Sequence, residues 1–493
     1  MTERFDLAWR AARTPDAPAL ETSAGTWTFA DLLDRARRGA AHLVASAPPG
    51  DVPVGLLLPG DAEFAAWFHA IALAGRVSLP LNLRLTAGEL ARQLEDARVG
   101  WLLGAAGDER LAELATQVAG LRVAEAPPLE SLSAPSGALP AEADGPDPDA
   151  TFTVLYTSGT SGRSKGACLS RANFLASAEG SLERLGSVVA ERWLACMPLF
   201  HVGGLSILMR SVRFGGAVRL LPRFDAAEVS DALDAGDIAA VSLVPTMLSR
   251  LLAHRGTRPA PPGLKTVLLG GASAAPELLA RALAAGYPVC PTYGLTEACS
   301  QVATAAPPRA GAVQPQPMRP LQGTALRIVH AGRDVAPGTP GEILVRGPTV
   351  MRGYLNDPQA TARSLHGGWL HTGDIGRLDT GGGLEVLDRR DDLIVSGGEN
   401  VYPAEIEAVL LEHPEVEEAG VAGVPDGDLG ARVVAWVVAA PGASPDSEVL
   451  QRHCRRHLAG FKQPREFRFV QSLPRTASGK LQRRHLLGIV SSD

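Results

Sequence analysis

Between Tyr156 and Gly166 the chain reads YTSGTSGRSKG, and the residue types there suit one task, the holding of a polyphosphate. Gly159, Gly162 and Gly166 let the main chain come close to an anion, because a residue without Cβ reaches conformations closed to others. Thr157, Ser158, Thr160 and Ser161 supply hydroxyl donors, and Lys165 adds a positive charge; these are the groups that charge-assisted phosphate contacts use. The stretch is not the P-loop of kinases and ATPases. Ser164 stands where glycine should precede the lysine, and Gly166 where Ser or Thr should follow it. A flexible Ser/Gly surface loop is the competing reading. The apolar run Phe152–Leu155 before the loop, and a helix expected from about Ser170, favour an ordered strand-loop-helix frame.

Other positions carry weaker chemical hints. Gly270 and Gly271 follow the apolar run Thr266–Leu269, where paired glycines either open the backbone to a flat ring or end a strand in a turn. Glu297 offers the carboxylate oxygen that a hard, phosphate-bound cation prefers, although a single Glu is as often half of a surface ion pair. Cys168, Cys196, Cys290, Cys299 and Cys454 are odd in number, scattered and without CxxC spacing, which predicts neither a disulfide framework nor a zinc site. A reducing, cytoplasmic setting is expected.

The elements that must position these residues alternate. Apolar residues recur at helical spacing from Thr28 to Ala47, and Pro48, Pro49 and Gly50 break that helix before the apolar run Val52–Leu58. Asp61 is placed to cap a helix through Ala74, and Val77–Leu81 reads as the next strand. The alternation returns over Val241–Leu252, Thr266–Leu269 and Pro276–Ala285, so an α/β class with a parallel sheet is expected. The segment from Ala124 to Ala150, rich in Pro, Ala and Ser, reads as a mobile surface excursion. After about Pro337 short strands bounded by glycine predict a smaller β-rich region. From Ala404 a compact α+β unit is expected: helix Ala404–His413, strands Glu418–Val424 and Arg432–Val438, and helix Ser447–Leu458.

Length and composition agree with a multidomain enzyme. A chain of 493 residues exceeds what one hydrophobic core normally holds. With 45% hydrophobic and 20% charged residues a sizeable core can form. The formal charge of −6, without a long basic face, disfavours nucleic acid. The N-terminus builds no apolar signal region and no stretch approaches a spanning helix, so neither export nor membrane insertion is expected.

The phosphate loop resembles the signature of the acyl-adenylate-forming (AMP-binding) enzymes, the family of acyl- and aryl-CoA ligases, firefly luciferase and peptide-synthetase adenylation domains. The resemblance continues in order through MPLFHVGG at 197–204, LLGGAS at 268–273, PTYGLTEA at 291–298, HTGD at 371–374, DRRDDLIVSGGENVYPAEIE at 388–407 and PRTASGK at 474–480. Departures are small: Ser161 replaces the usual Thr, Ser164 the usual Pro, and Asp388 the usual Gly. The resemblance implies a large N-terminal domain, residues 1–390, with mixed and parallel sheets and a β-rich part. A small mobile C-terminal domain, residues 391–493, would turn on a hinge at Asp391.

The family's site residues carry over by motif. Gly270, Gly271, Ala272, Thr292, Tyr293 and Gly294 would wall the adenine and α-phosphate, with Thr296 beside them. Asp374 and Arg389 would hold the ribose, and Glu297 a Mg²⁺ ion. Lys480 would bridge the acid and the α-phosphate during adenylation, and the Ser396, Gly397, Gly398, Glu399, Asn400 loop would replace it for thioester formation. His201 would wall the acyl pocket and gate the thiol, a satisfied core histidine being its competing reading. ATP, Mg²⁺ and coenzyme A are thereby implied, and homo-oligomers are common in the family.

Around His201, PLFHVGGLSILMRSV and TYGLTEACSQVAT are similar to the branch whose acid is o-succinylbenzoate, an aromatic dicarboxylate on the route to menaquinone. Its second carboxylate must be held by donors, since an unpaired buried charge is costly. Ser300 is one candidate, and Arg210 is the weaker one because Leu205–Arg210 reads as a helix with Arg at its edge. A broader aryl- or medium-chain acyl-CoA ligase, an adenylation domain loading a separate carrier protein, and a catalytically silent nucleotide-binding regulator are the alternatives.

Overall fold

The computed structural model describes residues 5–46, 52–135, 137–140, 147–157, 164–272, 274, 276–309, 311–388, 393–474, 481 and 483–489. Short Val/Leu-rich runs become the strands of a central sheet because they are buried on both faces, which parallel strands require. Pro18–Thr22, Val218–Leu220, Trp193–Ala195, Ala240–Leu243, Thr266–Leu269 and Val289–Leu295 lie side by side and parallel. The sheet is closed at one edge by the antiparallel strands Ser300–Thr304 and Arg319–Pro320 and at the other by Gly25–Thr28. A second sheet is parallel through Val54–Leu57, Ser78–Pro80, Trp101–Gly104 and Arg122–Glu125.

Helix Ala62–Leu73 buries every residue except Glu63, the signature of a helix enclosed by protein on all sides. Asp61 caps it, accepting from Phe64 N–H at 3.0 Å. One apolar cluster runs from this helix and helix Phe29–Ser46 into both sheets, so the two sheets share a core. Residues 325–388 add a third, antiparallel sheet around Gly341–Arg346 and Trp369–Leu378. The small C-terminal unit has its own core. Strands Val416–Asp426 and Gly430–Ala439 pair antiparallel and are covered by helices Pro403–Leu411 and Ser447–His457 through Ile406, Leu410, Leu450 and Cys454.

The expected fold class is therefore the observed one, with three local corrections. Lys165–Ser170 is a strand antiparallel to Thr151–Thr157, so the phosphate loop joins two strands of a hairpin. Only then does Ser170 cap helix Arg171–Leu185. The glycines, serines and charges around Lys165 masked the strand from a reading based on apolar periodicity. Within 124–150, Leu129 and Leu139 are buried in the large core, which anchors a stretch whose composition alone reads as mobile. The helix after His201 runs Val202–Phe214 and buries Arg210, which is inside the helix and not at its edge.

Candidate active site

In open α/β sheets ligands bind where the parallel strands end, because loops there are free to carry function. A deep cavity lies at that edge. It is lined by Ser242, Leu243 and Val244 after one strand, Leu268, Gly270 and Gly271 after the next, and Thr292, Gly294, Leu295, Thr296 and Glu297 along the third. His201, Val202 and Gly203 close one side, and Thr157, Tyr354, His371, Thr372 and Asp374 another. The cavity holds about 200 Å³.

The glycines are set by chain-to-chain approach as much as by any ligand. A Cβ at Gly270 would lie 2.7 Å from Thr292 Cγ2, and one at Gly294 would lie 1.7 Å from the carbonyl oxygen of Ser300 across the hairpin. Gly271 has φ of +82°, a conformation that side chains disfavour. Cys299 and Ser300 at the same hairpin also have positive φ, 50° and 84°. Residues with a Cβ are held this way only where surrounding structure compels it, and such positions gather at binding sites. Ser300 is thereby turned onto the cavity wall.

Tyr293 donates its hydroxyl to Asp374 Oδ2 at 2.7 Å, and Asp374 N–H donates to Thr372 Oγ1 at 3.0 Å, so a buried carboxylate is pinned at the cavity. Glu297 is held similarly: Tyr354 Oη donates to its Oε1 at 2.8 Å. The ammonium of Lys165 lies 5.2 Å from the centroid of the Tyr354 ring, which brings the base of the phosphate loop beside Glu297. Thr292 shares a 2.7 Å hydrogen bond with Thr304, tying the strand to its neighbour.

The small domain completes the wall. Gly397 and Gly398, with φ of 58° and 86°, make the tight two-residue turn between Ile394–Ser396 and Glu399–Val401 that positive φ at both positions permits. Gly398, Asn400 and Tyr402 line the cavity, whereas Ser396 is buried in its strand and Gly397 donates to Leu429 O. Glu399, 4% exposed, reaches across: its Oε2 lies 3.1 Å from His201 Nε2 and its Oε1 accepts from Arg84 Nη1 at 3.1 Å. Burial works to raise the Glu399 pKa, but the hydrogen bond and charge of His201, with Arg84, outweigh it and hold the carboxyl below its usual range.

Arg210 sits behind the cavity wall. It is 2% exposed, and its Nε, Nη1 and Nη2 have no hydrogen-bond partner among the described residues. Its guanidinium lies 4.5 Å from the Trp193 ring, and Trp193 Nε1 donates to Ser242 Oγ on the cavity wall at 3.1 Å. Burial pulls its pKa down to about 10. An arginine left charged and unpaired in the interior is rare because desolvation is costly.

Of the residues singled out from the sequence, Thr157, His201, Gly270, Gly271, Thr292, Gly294, Thr296, Glu297, Ser300, Asp374 and Gly398 are brought to one cavity. Tyr293 touches it through Asp374, while Ala272, Lys165 and Arg210 are not in the lining. Ser158, Gly159, Thr160, Ser161, Gly162, Arg389, Asp391 and Lys480 lie outside the described residues. Asn400, expected in the thioester-forming loop, lines the cavity, and Glu399 of the same loop reaches His201. Tyr354 and Tyr402 were absent from the expected site; the extended match at 388–407 was the signal for Tyr402, and nothing local marked Tyr354. Among the described residues one other group could ligate a metal, Glu412, His453 and His457, but Arg452, Arg455 and Arg456 share its helix and set positive charge against a dication. No helix among the described residues is long and apolar enough to cross a membrane.

Residues 7–355 match the AMP-binding enzyme family, and residues 405–480 match the AMP-binding enzyme C-terminal domain. A 2-succinylbenzoate–CoA ligase of Geobacillus kaustophilus is 42% identical over 98% of this chain and 97% of its own. A double mutant of the o-succinylbenzoate CoA synthetase of Bacillus subtilis, bound to its product analogue OSB-NCoA, superposes with a TM-score of 0.91 at 38% identity, covering 99% of each chain. The Bacillus enzyme with the acyl-adenylate intermediate OSB-AMP superposes at 0.74, with 38% identity and 100% and 99% coverage. With ATP and magnesium ion it superposes at 0.72, with 38% identity and 98% coverage of each chain. With identity and coverage nearly constant, this structure superposes more closely on the product-analogue complex than on the other two.

Proposed function

This chain belongs to the AMP-binding enzyme family, and we infer that it is an AMP-forming acid–CoA ligase acting on 2-succinylbenzoate. ATP, the acid and coenzyme A become 2-succinylbenzoyl-CoA, AMP and diphosphate. In the first step a carboxylate oxygen of the succinyl arm attacks the α-phosphorus of ATP, the Pα–O bond to the β-phosphate breaks, and diphosphate leaves. In the second the CoA thiolate attacks the carbonyl carbon of the acyl-adenylate and AMP departs with the electron pair of the C–O bond. The observation that carries this reading is the meeting of Glu399 and His201: a loop of the small domain completes the wall of a cavity in the large one that gathers the motif residues.

The roles follow from the geometry and the family pattern. The phosphate loop from Thr157 to Lys165 holds the polyphosphate. Gly270, Gly271, Thr292 and Gly294 wall the base, and Asp374, pinned through Oδ2 by Tyr293, presents its other oxygen to the ribose with Arg389. Glu297 offers a carboxylate oriented by Tyr354, a donor suited to Mg²⁺; the ion would neutralise phosphate charge there. Lys480 serves adenylation, when two anions must meet and positive charge stabilises the transition state. Turning the small domain about Asp391, at the boundary of residues 1–390 and 391–493, then brings Ser396–Asn400 to the cavity for the thiol. Glu399 draws the His201 side chain toward the small domain, which clears the thiol's approach.

The second carboxylate of the acid decides specificity. Ser300 lies on the wall, and the unpaired charge of Arg210 behind Trp193 supplies the positive potential that a buried benzoate carboxylate needs. The test is ATP–diphosphate exchange across a panel of acids, followed by thioester detection with CoA. Exchange with 2-succinylbenzoate and none with benzoate or octanoate is expected; strong exchange with a monocarboxylate alone would overturn the substrate. The enzyme works in the cytoplasm, free of membrane and nucleic acid, and a homo-oligomer accords with the family.

A further inference from the structure

Lys462 follows helix Ser447–His457 in the small domain and is 5% exposed. Its ammonium meets two carboxylates, Glu405 Oε1 at 2.8 Å and Glu89 Oε1 at 2.7 Å. Glu405 belongs to the small domain's own helix Pro403–Leu411, but Glu89 belongs to helix Ala87–Asp96 of the large domain. Glu89, 4% exposed, is fixed from behind: its Oε2 accepts from Thr86 N–H at 2.8 Å and from the Thr86 hydroxyl at 2.9 Å. Three residues earlier, Ala459 is buried in the large domain's cluster with Leu90 and Leu94, and Phe461 packs against that cluster too. The turn 459–462 is thus a plug of the small domain seated on one helix of the large domain.

We propose that Lys462 and Glu89 are positioning residues for the second step, a clamp that selects the thioester-forming arrangement of the two domains. The inference rests on the two-step ligase reading above. Its logic is the asymmetry of the triad. Glu405 accompanies Lys462 wherever the small domain goes, so the ammonium always has one partner. Glu89 reaches it only when the small domain sits as it does here. Burial works to lower the Lys462 pKa, and the two carboxylates outweigh it and leave it raised; the second carboxylate therefore adds to the binding of the charge. Burial raises the Glu405 pKa and Lys462 only partly opposes it, as expected where one cation serves two anions. Breaking the Lys462–Glu89 contact lets Glu89 return to water when the domain swings away, so the clamp can open and close within a catalytic cycle, unlike a permanently buried pair.

Glu89→Gln tests this while leaving an oxygen acceptor for Thr86. The variant should keep ATP–diphosphate exchange within about twofold of the parent and lose about tenfold in thioester formation from supplied acyl-adenylate, the response of a population shift and not of a damaged fold. Glu405→Gln should not lower the thioester step relative to adenylation, because a one-to-one Lys462–Glu89 pair remains. Equal loss of both steps in Glu89→Gln, or no change in either, overturns the clamp. Small-angle X-ray scattering of the ligand-free parent and Glu89→Gln proteins reads the arrangement without chemistry. If the parent shows no exchange with any acid, the ligase reading fails, and the clamp then stands or falls on whether Glu89→Gln changes the scattering curve.

Discussion

Glu399 of the small domain and His201 of the large domain meet in direct contact beside the cavity, Oε2 to Nε2 at 3.1 Å. His201 lines the cavity, so this contact ties the small domain to the cavity wall. His201 stands at the head of helix Val202–Phe214 without capping it, and Phe200 packs against its ring at 4.6 Å between centroids. Glu399→Gln should slow thioester formation by about tenfold, the loss of one charge-assisted hydrogen bond, and leave diphosphate exchange near the parent rate. Single-turnover assays of each half-reaction would separate the two, and a matching fall in exchange would remove Glu399 from the second step.

The same contact fixes a pH expectation. The Glu399 carboxyl is held below its ordinary value of 4.5, so its folded-state pKa is the depressed one. Its contribution is then complete above 4.5 and is lost only as pH falls through the lowered value. Any acid limb of the second half-reaction above 4.5 must therefore belong to another group. A limb above 4.5 that disappears in Glu399→Gln would contradict this.

Arg210 trades stability for recognition. A guanidinium with no hydrogen-bond partner among the described residues carries an uncompensated desolvation cost, eased in part by the Trp193 ring. Arg210→Met should raise the thermal midpoint, since apolar replacement of buried charge is often stabilising by about 1–4 kcal/mol. The same variant should lose about 2 kcal/mol, roughly thirtyfold in kcat/KM, with 2-succinylbenzoate. A lower midpoint with unchanged selectivity would show that the charge is structural.

Glu297 and Lys480 should separate the two half-reactions. Glu297→Gln keeps the shape that Tyr354 holds but weakens the cation site, so adenylation should fall about a hundredfold and demand more magnesium. Lys480→Ala should likewise abolish exchange. Both variants should still convert a supplied acyl-adenylate to thioester, because diphosphate has already left. Titrating magnesium against the exchange rate measures the first effect, and an unchanged magnesium requirement would free Glu297 of the role.

How much of this was legible depends on the distance over which each feature is encoded. Helix Ala62–Leu73 and strand Thr266–Leu269 are written in local periodicity and punctuation, and they fold as read. The motif residues Gly270 and Glu297 converge because each follows a strand of a sheet whose ligand edge is fixed by topology, and Asp374, inside strand Trp369–Leu378 of the antiparallel sheet, joins them through its hydrogen bond from Tyr293. Strand Lys165–Ser170 was hidden because its residues alternate poorly and its burial comes from Thr151–Thr157 and Gly353–Tyr354 beside it. The triad of Glu89, Glu405 and Lys462 spans 373 positions; no spacing rule joins such residues, and only the seating of one domain on the other brings them together.

Gly294 offers a last test, of whether a site glycine serves the ligand or the chain. The motif reading gives it to the adenine wall, and it does line the cavity. Yet a Cβ there would sit 1.7 Å from Ser300 O and 2.6 Å from the attached carbon, both backbone atoms, so no rotamer change relieves it. Strands Val289–Leu295 and Ser300–Thr304 would have to part, at about 3 kcal/mol for overpacking of this kind. Gly294→Ala should therefore lower the thermal midpoint even without nucleotide, whereas Gly427→Ala, whose Cβ would meet nothing within 4 Å, should leave it unchanged. If instead Gly294→Ala melts like the parent and only loses ATP affinity, the glycine is there for the base, and the hairpin tolerates what its geometry forbids here.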